Sequence, residues 1–251
     1  MEKHYINKWY YGHSLYRMVD PYNPLNLPPN TVRVRTNDGN VPIKGKYATY
    51  DTATLVPGTT DVYDVYKRMS SNQFMHLLEG ATNVIEVLGA NTSEITMMFS
   101  MFNGCTSLTT VALFDTSKVT TMTDMFGHCS SLTSVPLFNT SNVTGMLEMF
   151  WNCYSLTNVP LFDTSKVTNM GWMFASCTSL TSVPLFDTSK VTNMYRMFTG
   201  CTKVESGALA LYNQASTQSN PPTNHAETFR NCGSNTVTGA AELAQIPSDW
   251  K

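Results

Sequence analysis

The sequence carries little charge, and positive and negative residues nearly balance. Lys, Arg, Asp and Glu together make up 14% of the 251 residues, and the formal net charge is −2. Nucleic-acid-binding proteins normally show a basic patch, and surface-bound membrane helices a basic stripe. Neither occurs in this sequence, so we expect no nucleic-acid partner.

Long apolar runs are also missing. No stretch approaches the roughly 18 consecutive apolar residues of a membrane-spanning helix. The first residues, MEKHYINKWYYGHSLYRM, contain neither an apolar h-region nor the small-residue cleavage site of a signal peptide. We therefore expect no membrane insertion.

Motifs of catalysis and metal binding are absent as well. The sequence has no G-x-S-x-G, phosphate loop, dinucleotide fingerprint or Cys-x-x-Cys pair, and its five histidines are scattered. His128 lies beside Cys129, but in a single unit only, and a recurring Asp-Thr-Ser is explained by turn chemistry. The sequence therefore predicts a protein that is not an enzyme, with neither a cofactor nor a metal.

What the sequence has instead is a repeat of 24 residues. The clearest copies begin at Leu113, Leu137, Leu161 and Leu185. The frame extends back to residue 89 and to a degenerate unit in which 77–87 aligns with 101–111, so the array is predicted to begin near residue 65. Periods of roughly 20 to 50 residues are typical of solenoids and propellers.

Two apolar patterns alternate within a unit. Met122, Met125, Phe126 and Cys129 follow the spacing i, i+3, i+4, i+7, which predicts a helical turn with this face buried. The next segment, Leu132 to Leu137, reads L-x-x-V-x-L and predicts a strand with both Val135 and Leu137 facing inward. Proline at position 136 and its copies keeps that strand short, and the Asp-Thr-Ser that follows predicts an Asx turn.

Five of the six cysteines recur at the repeat spacing, and the last, Cys232, follows after 31 residues. Stacked coils place equivalent atoms about 5 Å apart, which makes disulfides conceivable. Stacked side chains point the same way, however, which favours a buried ladder of reduced thiols. The constant Phe114, Phe138, Phe162 and Phe186 are predicted to pack between coils.

The string MFxxCxSLTxVPLFDTSxVTxM resembles the BspA-like leucine-rich repeat family of bacterial surface and phage-borne proteins. The resemblance covers about residues 65–208. It implies an α/β solenoid, a right-handed leucine-rich-repeat-like array of 24-residue coils, each with a short strand and a helical turn. It also implies adhesion or host contact, and a location that is extracellular or on a virion surface, reached after signal removal or by assembly into a phage particle.

The two ends of the array need caps. Residues 1–20 are read as an aromatic arm and 21–64 as a β-rich cap in which NTVRVRTNDGNVPI forms a hairpin. Residues 209–251 are read as a modified last coil and a partly helical cap, with a helix at ALALYNQAS and an N-cap at Asn224. The arm either docks on the cap or anchors the protein to a larger assembly through Trp9, Tyr10, Tyr11 and Tyr16.

Differences between the copies are concentrated in one segment of the unit, between the Val-Thr step and the cysteine. On a helix these positions share the face opposite the buried Met, Phe and Cys. They hold Trp, Tyr and Arg, the residues enriched at binding hot spots, although free drift at solvent-facing sites is the alternative. We name this set the variable stripe, and its candidate partner-binding residues are Phe99, Asp124, His128, Leu147, Glu148, Trp151, Trp172, Tyr195 and Arg196.

The sequence therefore predicts a non-enzymatic binding or adhesion protein that contacts a protein or glycan on a host-cell surface. The alternative is a structural virion component of a phage, such as a fibre, decoration or tail protein, held by its N-terminal segment. Other virion proteins and further copies of the chain are additional candidate partners.

Overall fold

A computed structural model describes residues 8–11, 14–17, 26–68 and 72–251, the first two ranges by their backbone alone. Strands β1 (Lys8–Tyr11) and β2 (Ser14–Arg17) form an antiparallel hairpin in which Trp9 lies opposite Tyr16. Within the described residues, no helix has the length and apolar character needed to cross a membrane.

A five-stranded sheet joins the N-terminal region to the repeats. It contains β3 (Thr31–Thr36), β4 (Thr52–Leu55), β5 (Val62–Tyr66), β6 (Val84–Asn91) and β7 (Thr110–Val111), in the order β4-β5-β3-β6-β7. All pairs are antiparallel except β6 with β7. Residues on both sides of the predicted boundary at 64/65 thus share one sheet, which covers the first repeat.

The predicted hairpin in NTVRVRTNDGNVPI is wrong. β3 pairs with β5 and β6, and the residues after it form a loop around the buried side chain of Asn83. The Asn83 amide nitrogen donates to Asp38 and to the Val41 carbonyl, and its oxygen accepts from the Ile43 amide at 2.8 Å. One amide side chain therefore satisfies the backbone groups that a second strand would have paired.

Successive repeats stack through backbone hydrogen bonds. In the Met-Met-Phe segment of one unit, the amides of residues 122, 124, 126 and 128 donate to the carbonyls of 145, 147, 149 and 151 in the next unit. The same four bonds recur at each of the six junctions from residue 74 to residue 230. Parallel bridges run through the array from Gln73 to Asn224. The chain therefore has a repeat fold.

The helical turn predicted for each unit is wrong, although its buried face is right. Met122, Met125, Phe126 and Cys129 are all fully buried. The segment between them consists of tight turns, with Met125 N–H bonded to the Met122 carbonyl at 3.2 Å and with a left-handed φ of 56° at Asp124. Alternate amides bond to the next unit, so they cannot form the i to i−4 bonds of an α-helix.

The strand predicted in every unit is present in the first two units, as part of β6 and as β7, which pair in parallel at the repeat spacing. In the later units, all of them within the described residues, an isolated parallel bridge between Ser182 and Ser206 is what remains of it. At β7 the amide of Ala112 donates to the Val87 carbonyl at 2.8 Å, whereas the next three units have a proline at this position and no N–H to donate. The inward orientation predicted for Leu137 is also wrong, because its side chain is 60% exposed while Phe138 is buried. We name the exposed residues at this position the leucine row, and they are Leu113, Leu137, Leu161 and Leu185.

The interior is a stack of Met, Phe and Cys. All six cysteines are unpaired and buried, which confirms the burial predicted for the cysteine ladder. The thiol of Cys153, for example, donates to the Phe126 carbonyl of the preceding unit at 3.1 Å. The ring of Phe126 lies parallel to that of Phe150 with centroids 5.7 Å apart. The Phe114 to Phe186 ladder is buried against this stack, as predicted.

The C-terminal residues close the stack. Helix α1 (Ala208–Thr217) is inserted before the last unit, and helix α2 (Val237–Gln245) and a short 3-10 helix (Ser248–Trp250) follow it. The predicted N-cap at Asn224 is wrong, because Asn224 forms a parallel bridge with Asn193 as a repeat residue. The Trp250 carbonyl accepts from the Phe229 amide at 2.9 Å, so this residue caps the final coil.

Candidate functional site

The variable stripe forms one continuous face along the array. Its residues occupy the outward positions of the Met-Met-Phe segment, between the buried side chains of the same segment. Because equivalent residues of successive units stack, the nine predicted residues follow one another along the array. Each is half-buried, so none of these side chains projects fully into solvent.

Many stripe positions have a left-handed backbone. One row consists of His76, Ser100, Asp124, Glu148, Trp172, Arg196 and Glu227, with φ between 50° and 60°. A second row, four residues later in each unit, includes Gly104 and Gly200 but also His128, whose φ is 60°. Glycine adopts this conformation freely, whereas bulky residues rarely do, at a cost of roughly 1–2 kcal/mol each.

Four aromatic side chains from consecutive units form a chain of edge contacts. The rings of His128 and Trp151 are 4.6 Å apart, those of Trp151 and Trp172 5.9 Å, and those of Trp172 and Tyr195 5.7 Å. Interplanar angles of 62° to 77° show that each ring meets the next edge to face. Such pairs stabilise by about 0.5–1.5 kcal/mol beyond the area they bury.

Arg196 lies at the end of this row of aromatic side chains, where it forms cation–π contacts and an ion pair. Its guanidinium carbon lies 4.7 Å from the Trp172 ring centre and 5.0 Å from that of Tyr195. Its Nε and Nη2 donate to the two carboxylate oxygens of Glu227 at 2.9 and 3.1 Å. Glu227 also accepts from Arg230, and these contacts hold the pKa of its carboxyl below the ordinary value. Glu227 was not among the predicted stripe residues, because the segment that contains it was read as the start of a helix capped by Asn224.

Two acidic side chains, Asp124 and Glu148, lie in the middle of the stripe. Asp124 accepts from Ser100 Oγ at 2.8 Å and from Asn103 Nδ2 at 2.7 Å. A Cβ on Gly127 would lie 2.0 Å from an Asp124 oxygen, so glycine is required there for this carboxylate to fold inward. Burial raises the pKa of Asp124. Burial, and secondarily the charge of Asp124, raise the pKa of Glu148.

The remaining stripe residues pack locally. Phe99 contacts the ring of His76 edge to face at 5.1 Å, and His76 in turn pairs with Glu79. Leu147 lies close to Gly171, and a Cβ added to Gly171 would be 3.2 Å from the Leu147 Cδ1 atom. His76 was not among the predicted residues, although it occupies the row of Asp124 two units earlier.

The predicted anchoring residues lie in the N-terminal hairpin. Trp9, Tyr10 and Tyr11 belong to β1 and Tyr16 to β2. Their side chains lie outside the described part of the structure, and the anchoring role stays a prediction.

The leucine row is a second surface, and sequence reasoning assigned it to the interior. Its exposures are 36% for Leu113, 60% for Leu137, 61% for Leu161 and 51% for Leu185. A shallow groove beside it is lined by three of these leucines and by the Asx-turn residues Asn139, Thr140, Ser141 and Asp163. The row comes from a different segment of the unit than the stripe.

Comparison with known proteins returns one family and one structural relative. A crystal structure of a leucine-rich repeat protein from Eubacterium ventriosum superposes with a TM-score of 0.39 and 17% identity, over 64% of this chain and 43% of that one. No curated protein matches. A model of the family described as "Mycoplasma protein of unknown function, DUF285" matches residues 69–180 and again 133–236. Since these matches span more than half of the chain, the protein belongs to this family.

Proposed function

We propose that this protein is a non-enzymatic binding protein that uses the variable stripe to contact a protein or glycan on a cell surface. In this proposal the repeats form a right-handed, leucine-rich-repeat-like solenoid whose role is to hold the stripe rigidly. The protein acts outside the cell that makes it, on a host-cell surface or as part of a virion.

The observation that carries the proposal is the choice of residues at left-handed positions. Gly104 and Gly200 occupy such positions without strain, whereas Glu148, Trp172 and Arg196 occupy theirs at φ of 55° to 60°. Residues chosen for stability alone would be Gly or Asn, because these adopt the conformation at lower cost. Strained backbone persists mainly where function requires it, so the bulky residues are best explained by contact with a partner.

Composition supports the same conclusion. Trp151, Trp172, Tyr195 and Arg196 belong to the residue types enriched at binding hot spots, and they adjoin one another in space. Their mutual edge contacts fix the rings in place before a partner arrives. A preorganised aromatic surface loses less side-chain entropy on binding than a mobile one.

The test compares two triple variants. The first replaces Trp151, Trp172 and Tyr195 by Ser, and the matched control replaces Leu137, Leu161 and Leu185 of the leucine row by Ser. Fluorescently labelled protein is applied to panels of intact animal and bacterial cells, and bound protein is measured by flow cytometry. Thermal unfolding of each variant checks that it remains folded.

We expect the stripe variant to lose at least ten-fold in cell binding while the leucine-row variant binds like the unmodified protein. Equal binding by a folded stripe variant contradicts the proposal. Loss of binding only in the leucine-row variant would assign the contact to that row instead.

A further inference from the structure

We propose that the acidic half of the variable stripe, formed by Asp124, Glu148 and Trp151, receives an arginine side chain presented by a protein partner. The inference rests on the proposed function of the stripe and names the chemistry of its partner. It is argued from charge complementarity and from an arginine site that the protein builds for itself in the other half of the stripe.

The internal arginine site shows what this backbone can hold. Arg196, Trp172 and Glu227 occupy equivalent positions in consecutive units. The guanidinium packs on the Trp172 ring and donates two hydrogen bonds to the carboxylate of the following unit. One row of the stripe therefore combines an aromatic face and a bidentate carboxylate at the spacing of adjacent coils.

The acidic half of the stripe has carboxylates like that of the Arg196 site, but no Lys or Arg side chain in the described part of the chain pairs with them. Asp124 and Glu148 lie in the same row, one unit apart, and the rings of His128, Trp151 and Trp172 adjoin them in the stripe. Among residues 26–68 and 72–251, neither carboxylate forms an ion pair with Lys or Arg. In the same ranges the Glu148 carboxylate has no hydrogen-bond partner, and each Asp124 oxygen accepts a single bond.

The electrostatics favour a cationic occupant. Burial raises the pKa of both carboxylates, and repulsion from the charge of Asp124 adds to the rise at Glu148. An added positive charge offsets this repulsion, whereas an anionic group would increase it. Arginine suits the site better than lysine, because its planar guanidinium stacks on aromatic rings and bonds carboxylates with two hydrogen bonds.

A glycan explains these features less well. Sugars and guanidinium groups both stack on aromatic faces, so the rings alone do not distinguish the two kinds of ligand. Sugar hydroxyls can donate to a carboxylate, but a neutral sugar brings no positive charge to offset the repulsion between two adjacent carboxylates. The charged and aromatic features together therefore fit a protein segment with an exposed arginine.

The experiment uses three fluorescein-labelled glycine-serine peptides that differ at two positions, occupied by arginine, by citrulline or by glutamate. Citrulline has the shape of arginine without its charge. Affinity for the full chain is measured by fluorescence anisotropy at low and at physiological ionic strength. The variants are Glu148→Gln and the double variant Asp124→Asn with Glu148→Gln, and the matched control is Glu205→Gln, which removes an exposed carboxylate outside the stripe.

We expect the arginine peptide to bind about ten-fold more tightly than the citrulline peptide, with the glutamate peptide weakest. The double variant should abolish that preference and Glu205→Gln should leave it intact. Should Asp124→Asn disturb folding, Glu148→Gln alone carries the test, since its carboxylate holds no hydrogen bond that folding depends on. Glu148→Arg is expected to turn the preference towards the glutamate peptide.

Equal affinity for the arginine and citrulline peptides, or an arginine preference that survives in the folded double variant, overturns the inference. Tight binding of neutral oligosaccharides that is unchanged by Glu148→Gln overturns it too. These failures differ from failure of the proposed function, which is recognised when the Trp151, Trp172 and Tyr195 variant still binds cells.

Discussion

The buried stack and the variable stripe are built from alternate residues of the same turn segment, yet they differ in every respect. Inside, Met, Phe and Cys repeat from unit to unit and are fully buried without strain. Outside, the residues change at every unit, are half-buried, and include bulky side chains at left-handed positions. The repeated residues therefore stabilise the fold, whereas the varied residues are held in place at a cost to stability.

The largest expected effect is a loss of stability at high pH, which should come from the buried stack and not from the stripe. Burial raises the pKa of all six thiols, that of Cys105 to about 12, whereas a cysteine in the unfolded chain titrates near 8.5. The folded state therefore keeps the thiols protonated. Their stabilisation is complete below about pH 8.5 and is lost as pH rises towards 12, by about 1.4 kcal/mol per pH unit for each thiol.

Typical domains have about 5–15 kcal/mol of stability, so six thiols should cause cooperative unfolding within about two pH units above 8.5. Circular dichroism at increasing pH measures the midpoint, and urea titration at each pH measures the slope. Cys153→Ala should reduce the slope by one thiol's share. Native structure that persists to pH 12, or rapid labelling of folded protein by a thiol reagent at neutral pH, would show that the ladder is accessible.

Two neighbouring residues, Phe150 and Trp151, allow the stability contributions of the stack and the stripe to be compared directly. Phe150 is fully buried between Phe126 and Phe174, whereas the adjacent Trp151 is a half-buried stripe residue. Phe150→Ala should lower the free energy of unfolding by about 3–5 kcal/mol, because it leaves a cavity in the stack. Trp151→Ala should lower it by only about 1–2 kcal/mol, from lost edge contacts and partial burial.

Urea denaturation of both variants measures these values. Similar losses at the two positions would mean that the stripe contributes to folding as much as the interior does, and the distinction between them would fail.

The smallest expected effect has the opposite sign. Glu148→Asn should raise the free energy of unfolding by about 0.5–1 kcal/mol, because asparagine tolerates the left-handed backbone better and the repulsion from Asp124 disappears. Glu205→Asn is the matched control, since the left-handed set does not include Glu205. Thermal and urea unfolding give the difference. A loss of stability in Glu148→Asn would show that the stripe residue is not strained.

Several features of the fold could be predicted from the sequence because they depend only on period and polarity. The 24-residue unit, the buried Met-Met-Phe-Cys face and the free thiols belong to this group. The helical turn could not be distinguished from two tight turns, since both bury positions i, i+3, i+4 and i+7. The local signal of a left-handed residue was glycine or asparagine at one recurring position, in Gly80, Gly104, Asn152, Gly200 and Asn231.

The leucine row and the last unit show two further limits. The leucines that recur at positions 113, 137, 161 and 185 suggested an interior site. A residue type that recurs shows only that its environment recurs, and that environment can be exposed. Phe138 has the buried position that was expected for Leu137. Glu227 was missed because the inserted helix α1 displaces it from the 24-residue frame. Alignment of Phe229-x-x-Cys232 with Phe198-x-x-Cys201 places it one unit after Arg196 and could have identified the pair.

The backbone beneath the stripe has a direction. At every junction the four amides of the Met-Met-Phe segment point towards the C-terminal end and their carbonyl acceptors point towards the N-terminal end. Each peptide group has a dipole of about 3.5 D, and here the dipoles add along one face, whereas those of ordinary strands largely cancel. The two ends of the stack therefore need opposite caps: at the first coil the Thr49 hydroxyl donates to the Met75 carbonyl, and at the last coil the Trp250 carbonyl accepts from the Phe229 amide.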